Sequence, residues 1–191
     1  MEALTLNLHP TIELTDEQFF QLCQNNRDLR LERTAMGELI IMPPTGWKSG
    51  NRNSKLTQRL GNWTDADGTG IAFDSSTGFK LPNGANRSPD ASWVKKERIE
   101  TLNPNPDRFL PLTPDFAVEL RSTSDKLDTL RQKMQEYISC GMRLGWLIDP
   151  QNQRVEIYRP GQDVEILESP TSLSGEDVLP GFVLDLQGIL N

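Results

Sequence analysis

The sequence predicts a mixed α/β (α+β) fold in which a mixed β-sheet is flanked by helices. Residues 115–122 and 144–149 have the composition of buried strands, and residues 126–140 between them have a helical pattern. Further strand-like segments precede and follow this β-α-β unit. We therefore expect an N-terminal hairpin, a central mixed sheet and a C-terminal β extension.

The chain has 191 residues, of which 36% are apolar, and this predicts a single domain spanning residues 1–191. The longest apolar runs are too short for a membrane helix. The first ten residues lack a basic stretch and an apolar stretch of the kind found in secretion signals. The two cysteines lie far apart in the chain, as is common in a reducing compartment, so we expect a cytoplasmic protein.

The N-terminal part predicts one helix, a hairpin and a second helix. The sequence Thr-Asp-Glu-Gln from Thr15 fits a capping box at a helix start. Residues 29–34 and 38–43 alternate like two strands around a short turn that contains a glycine. Residues 47–63 then predict a helix after two prolines and a glycine.

The next segments predict short strands and a loop. Residues 70–84 are interpreted as a hairpin and residues 90–96 as a further strand. A short polar helix is expected near 95–101. The four prolines between 103 and 114 predict a loop.

The C-terminal half contains the β-α-β unit. In residues 115–122, apolar and polar side chains alternate between the two faces of the strand. Residues 126–140 predict a helix and 144–149 a strand buried on both faces, so the two strands should be joined by a right-handed parallel crossover. The segments 154–161 and 163–169 predict a later hairpin.

Charge is distributed unevenly along the chain. The net charge of −7 disfavours nucleic acid as a partner, but residues 46–150 carry 13 acidic and 15 basic residues. Within them, four basic residues share one face of the helix predicted over 47–63: Lys48, Arg52, Lys55 and Arg59. This face is either an ordinary solvated surface or a stripe that follows the phosphates of nucleic acid.

Three acidic residues stand in strand-like surroundings: Glu38, Asp90 and Glu119. A buried carboxylate is costly unless it is paired or binds a metal, and carboxylates that converge at strand ends suit Mg²⁺. The chain contains a single histidine, His9, near its start. This argues against histidine-rich zinc sites, Ser-His-Asp triads and histidine-based nucleases.

The order of these acids is similar to the PD-(D/E)xK nuclease motif. Pro89-Asp90 supplies the first part and Glu119-Leu120-Arg121 the second. Arg121 stands where the motif has lysine, and arginine does not deprotonate. Arg121 is therefore as consistent with a salt-bridge partner as with a catalytic cation.

Longer segments resemble the Uma-type endonucleases, a family abundant in cyanobacteria. The resemblance is carried by RSPDASWV, by VELRSTSD, by the K-x-x-x-Y-x-x-x-G helix and by GWLIDP. It covers about residues 29–184 and implies a restriction-endonuclease-like fold that cleaves DNA with the help of Mg²⁺ or Mn²⁺.

The resemblance also implies roles for single residues. Asp90 and Glu119 match the acids that bind the metal, and Glu38 matches a glutamate of the first hairpin. Lys133 matches a helix lysine that replaces the missing motif lysine, with Lys126 or Arg121 as less favoured alternatives. Trp47-Lys48 stand where the family often has histidine.

We therefore interpret the protein as a metal-dependent DNA endonuclease, with a homodimer expected because many nucleases of this fold cut both strands as dimers. The alternative is a nuclease-derived module that binds nucleic acid or protein without catalysis. A third interpretation, a domain for small molecules or proteins, predicts that Glu38, Asp90, Glu119 and Lys133 are scattered in space.

Overall fold

The computed structural model of the protein describes residues 3–191, which form helices packed on two larger β-sheets and one small one. The helices are α1 (Asp16–Asn25), α2 (Trp47–Asp67), α3 (Lys96–Leu102) and α4 (Leu127–Ser139). The strands are β1 (Leu4–Leu6), β2 (Arg30–Arg33), β3 (Leu39–Met42), β4 (Gly70–Asp74), β5 (Phe79–Lys80), β6 (Asn86–Arg87), β7 (Ala91–Lys95), β8 (Phe116–Leu120), β9 (Leu144–Asp149), β10 (Arg154–Tyr158), β11 (Glu165–Glu168), β12 (Ser172–Ser174) and β13 (Val183–Asp185).

The central sheet has six strands in the order β11-β10-β9-β8-β7-β4. Strands β8 and β9 are parallel and are joined through α4, while their other neighbours are antiparallel. The predicted mixed sheet and parallel crossover are therefore confirmed. On one face of β8, Phe116 and Val118 pack in the same apolar cluster as Trp146, so Glu119 points to the opposite face, which α4 covers.

A second sheet has the order β1-β3-β2-β6-β5 and contains the predicted N-terminal hairpin. Strands β2 and β3 pair antiparallel around a turn in which Gly37 has a φ of 83°. That left-handed conformation favours glycine. Before the hairpin, Thr15 caps α1 through the predicted capping box with Gln18.

Helix α2 extends four residues beyond the predicted end at residue 63. Its buried side, which contains Leu56, Leu60 and Thr64, continues past that point, and Gly68 ends the helix with a φ of 71°. A single leucine of this kind contributes about 2–5 kcal/mol when its replacement leaves a cavity. Among residues 3–191, no helix combines the length and the apolar character needed to cross a membrane.

The predicted hairpin over residues 70–84 is wrong. Strand β4 pairs with β7 at the edge of the central sheet, whereas β5 pairs with β6 in the second sheet. The turn after β4, in which Asp74 accepts hydrogen bonds from Ser76, moves the chain from one sheet to the other. The turn residues therefore predicted the position of the turn correctly, but they did not predict which strand pairs with which.

The C-terminal β extension follows the predicted β10/β11 hairpin, which is present. Strands β12 and β13 form a small antiparallel sheet, and Leu173 and Leu184 bury their side chains in the main core. Arg59 of α2 donates hydrogen bonds to the carbonyl oxygens of Asp185 and Gln187. These contacts hold the extension against α2.

Candidate active site

A buried ammonium group lies between two buried carboxylates on the face of the central sheet that α4 covers. The Nζ of Lys133 is 2.8 Å from Oε1 of Glu32 and 2.9 Å from Oε1 of Glu119. The side chain of Lys133 is 11% exposed, and those of the glutamates are 3% and 5% exposed. Strand β2, strand β8 and helix α4 therefore each supply one charged group to a single cluster.

Helix α4 contributes a second group to the cluster. Tyr137 lies one turn after Lys133, and residues four apart share a helix face. Its hydroxyl donates a hydrogen bond of 3.0 Å to Oε1 of Glu119. Burial and the nearby Glu119 raise the pKa of Tyr137 well above its ordinary value, so the hydroxyl keeps its proton.

Asp90 reaches the same place from the residue before β7. Its Oδ2 accepts a hydrogen bond of 2.8 Å from the backbone N–H of Leu120. The antiparallel register pairs Ala91 with Val118, and one further step along both strands sets Asp90 opposite Glu119. Residues opposite each other in an antiparallel pair point to the same face, so the two carboxylates are neighbours.

This crowding of negative charge changes the proton affinity of both acids. Burial raises the pKa of Glu119 to about 7, with further increases from Asp90 and Glu32, against the lowering effect of Lys133. Burial also raises the pKa of Asp90 above its ordinary value. Near neutral pH, Glu119 therefore binds and releases a proton in the folded protein.

Lys133 and Glu32 are both held in their charged forms, unlike Asp90 and Glu119. Burial opposes its charge, but Glu119 and Glu32 together raise the pKa of Lys133. Burial likewise opposes the charge of Glu32, yet Lys133 and Arg87 hold its pKa below the ordinary value. The cluster therefore contains a stable ammonium and a stable Glu32 carboxylate, beside a Glu119 whose charge depends on pH.

A surrounding layer fixes Glu32. Its Oε2 is 3.2 Å from Nη1 of Arg87, and its Oε1 accepts a hydrogen bond from the backbone N–H of Ser88. Arg87 in turn contacts Glu136 of α4 at 2.5 Å. These contacts join the second sheet to α4 and hold the carboxylate that faces Lys133.

The sequence-predicted site residues are only partly brought together. Asp90, Glu119 and Lys133 converge, so the interpretation that required the predicted residues to be scattered is not supported. Glu38 pairs instead with Thr34 at the end of the hairpin, and its carboxylate accepts a hydrogen bond from the Thr34 hydroxyl at 3.2 Å. The hairpin residue that contacts Lys133 is therefore Glu32, and a role for Glu38 at the site stays a prediction.

Arg121 does not take the position of the motif lysine. Its Nη1 is 2.8 Å from Oδ2 of Asp149, and its Nε donates to the carbonyl oxygen of Asp125. Asp149 also accepts hydrogen bonds in the turn after β9. Of the two roles considered for Arg121, the structure shows the salt bridge.

The four basic residues of α2 do not form one uniform surface. Lys48 is exposed in the first turn, and Arg52 is half-buried. The Nζ of Lys55 lies beside Gly188, and Arg59 binds backbone carbonyls of the C-terminal extension. At least Arg59 therefore has a structural contact where a phosphate contact was expected.

Two residues near the acids were missed by the sequence analysis: Glu32 and Asn53. Glu32 stands in the middle of a strand, the same signal that identified Glu119. Asn53 lies three residues before buried Leu56 and seven before Leu60, so it occupies the inward face of α2. A polar residue on the apolar face of a helix is the sequence signal that could have identified Asn53. In the structure, Nδ2 of Asn53 lies 3.4 Å from Oδ1 of Asp90.

The donor atoms here suit Mg²⁺, which needs few protein ligands, better than a metal whose ligands all come from the protein. Among residues 3–191, no group of three or more histidine, cysteine or acidic side chains is arranged to hold a metal. Mg²⁺ prefers oxygen ligands, keeps several waters and is commonly bound by one or two carboxylates together with substrate phosphates. Asp90 and Glu119 provide two such carboxylates next to each other, so the residues present fit this ion.

Comparisons with known proteins bear on the fold and on the family of the chain. No curated protein matches the chain. Its fold is similar to that of "a putative nuclease belonging to DUF820 from Anabaena variabilis ATCC 29413", with 19% sequence identity, a TM-score of 0.78, and coverage of 93% of this chain and 97% of that chain. At this identity the likeness shows a shared fold. The model of the Uma2 family, described as "Putative restriction endonuclease", matches residues 16–187, and the chain therefore belongs to the Uma2 family.

Proposed function

We propose that this protein is a nuclease that hydrolyses phosphodiester bonds of DNA with the help of Mg²⁺ or Mn²⁺. The observation that carries the proposal is the buried ammonium of Lys133 within 2.9 Å of Glu119, beside a second acid, Asp90. Membership of the Uma2 family supports a nuclease activity, and the similar fold of the structure described as "a putative nuclease belonging to DUF820" agrees with it. The metal and the DNA substrate are the parts that we propose.

Asp90 and Glu119 would hold the divalent ion. Such an ion, when bound, polarises the phosphoryl group and lowers the pKa of a bound water. The backbone N–H of Leu120 orients the Asp90 carboxylate, and the hydroxyl of Tyr137 orients that of Glu119. Binding of a cation favours the deprotonated form of Glu119, which is otherwise half-populated near its pKa of about 7.

Lys133 acts as a fixed positive charge. Because Glu119 and Glu32 raise its pKa, its ammonium keeps its proton at neutral pH. It therefore stabilises the negative charge that develops on the phosphoryl oxygens and orients the attacking water, and it does not remove a proton from that water. Orientation of the water, and not its deprotonation, is therefore the role that we propose for Lys133.

The test is cleavage of supercoiled plasmid, linear duplex and single-stranded DNA, and RNA, by the purified full chain. We expect nicking or cutting of DNA with Mg²⁺ or Mn²⁺ and none with EDTA. Asp90→Asn should abolish this activity. Cleavage that persists in EDTA, or in Asp90→Asn, contradicts the proposal, and cleavage of RNA alone contradicts its DNA part.

A matched control is available at the other end of the same strand pair. Asp115 is buried, and its Oδ2 accepts a hydrogen bond of 2.9 Å from the backbone N–H of Lys95. Asp90 accepts from Leu120 in the same way, and each acid has one further side-chain contact, Asn53 for Asp90 and Arg98 for Asp115. Asp115→Asn should retain cleavage, since Asp115 pairs with Arg98, away from Lys133.

Nucleic-acid binding and assembly form the last part of the proposal. Lys48 and Arg52 stay as predicted contacts to the DNA backbone, and a homodimer is proposed because many nucleases of this fold cut both strands as dimers. Lys48→Ala should weaken DNA binding and reduce its dependence on salt. Light scattering of the purified chain, with and without duplex DNA, measures the number of copies.

A further inference from the structure

The side-chain oxygen of Asn53 is a hydrogen-bond acceptor without a donor among the described residues. The amide is placed on the inward face of α2, and its Nδ2 donates toward Oδ1 of Asp90 at 3.4 Å. Its Oδ1 is enclosed and has no hydrogen-bond partner among residues 3–191. Buried acceptors are normally satisfied, so this atom requires an explanation.

The orientation of the amide follows from its neighbour. The reverse orientation would turn Oδ1 toward the carboxylate of Asp90, and two acceptors would then face each other. The amide nitrogen therefore faces Asp90, and the oxygen is the atom left without a partner. An enclosed acceptor without a donor, on a side chain that contacts the Asp90 carboxylate opposite Glu119, is available to a cation bound between these acids.

We propose that Asn53 is a positioning and ligand residue of the metal site: Nδ2 orients Asp90, and Oδ1 contributes a third oxygen to the divalent cation. This inference rests on the proposed function, because it assumes the cation that Asp90 and Glu119 would hold. Amide oxygens are ordinary ligands of hard cations. The inward position on α2 also gives the helix a role at the site that does not depend on its basic residues.

The test measures binding of Mn²⁺ alone, by electron paramagnetic resonance, to the full chain without DNA. Residues that orient or support metal ligands typically change metal affinity by about tenfold or more, so Asn53→Ala should weaken Mn²⁺ binding by about tenfold. Asn53→Asp keeps an oxygen and adds a negative charge, so it should bind Mn²⁺ more tightly than Asn53→Ala. Asn51→Ala, at an exposed position of the same helix, should bind like the wild type.

The outcomes separate this inference from the proposed function. If the wild type binds no Mn²⁺ in the absence of DNA, this inference is overturned, while the proposed function is still decided by metal-dependent cleavage of DNA. If the wild type binds and Asn53→Ala binds equally well, only the inference is overturned. It is also overturned if Asn53→Asp, folded by circular dichroism, binds no more tightly than Asn53→Ala, because Oδ1 would then contribute nothing.

Discussion

Glu119 and Glu156 are both buried, and each is held by one cation of α4 and one tyrosine hydroxyl. Glu156 accepts from Nε and Nη2 of Arg131 at 2.6–3.1 Å and from the hydroxyl of Tyr158 at 2.7 Å. Glu119 has Lys133 and Tyr137 in the same two roles, at 2.9 and 3.0 Å. The two arrangements are built alike, and they differ in how much charge each one leaves unbalanced.

At Glu156, the planar guanidinium of Arg131 reaches both carboxylate oxygens, so the pair is closed. At Glu119, a single ammonium is shared with Glu32, and Asp90 adds a further negative charge. At the first site, Arg131 balances the charge of Glu156, and the pair stabilises the contact between α4 and β10. The second keeps an excess of carboxylate, which is the condition for attracting a cation.

The largest effect expected from this comparison is on cleavage. Glu119→Gln should lower the rate of DNA cleavage by about a thousandfold, because it removes a carboxylate that we propose to hold the metal. Glu156→Gln should retain cleavage within a fewfold, measured at a temperature where both variants are folded. Equal losses in the two variants would mean that Glu119 acts only as a structural residue.

The second comparison exchanges the cations. Lys133→Met should lower cleavage by about a hundredfold, since the charge near the phosphoryl group is lost. Arg131→Met should lower thermal stability while the folded protein continues to cleave. Lys133→Arg, which keeps a positive charge beside two buried glutamates, should retain more activity than Lys133→Met. Equal losses in the two variants would contradict the role of Lys133 as a positive charge.

The third comparison is the dependence of stability on pH. In the folded protein the pKa of Glu119 is about 7, above its ordinary 4.5, so the folded state binds more protons than the unfolded state between these values. Stability from this group is therefore present at low pH and is lost as the pH rises through 7. The free energy of unfolding of Glu119→Gln minus that of the wild type should increase by about 3 kcal/mol from pH 4 to pH 8.

Thermal unfolding at several pH values measures this difference. Other titrating groups occur in both proteins and largely cancel. A difference that stays constant with pH would show that Glu119 titrates normally and that the surplus of charge at this site has been overstated.

The smallest effect is the stabilisation by metal. Mg²⁺ or Mn²⁺ at about a hundred times its Kd should stabilise the wild type by about 2.7 kcal/mol, which raises the Tm by several degrees. Glu156→Gln should show the same rise, and Glu119→Gln a much smaller one. A rise of equal size in all three proteins would place the ion somewhere else.

Much of the fold and part of the site followed from local pattern. The alternation in β8 predicted that Glu119 shares a face with Ala117, and the Thr15 capping box fixed the start of α1. Lys133 was found only through the family resemblance, because nothing local shows that a helix residue reaches a strand carboxylate. The pairing of β4 with β7 was missed for a similar reason, since turn residues do not specify a distant partner.

Glu32 and Glu38 show most clearly how far the sequence alone can predict the residues of the site. The register of β2 and β3 pairs Glu32 with Ile40 and sets Glu38 opposite Thr34, so both glutamates lie on the same face of the hairpin. Alternation therefore identified the face and could not say which acid would contact α4. That depends on where the helix crosses the sheet, which is a property of tertiary packing.

The pairing of β7 with β8 has one more consequence. Because hydrogen bonding across these strands sets Asp90 opposite Glu119, their spacing is independent of the chain that joins them. An insertion in helix α3 or in the proline-rich loop would therefore leave this strand register unchanged. A deletion of one residue inside β7 would instead turn Asp90 to the other face of the sheet. A change of chain length inside this strand therefore alters the site, whereas one in the connection between the strands keeps the two acids opposite each other.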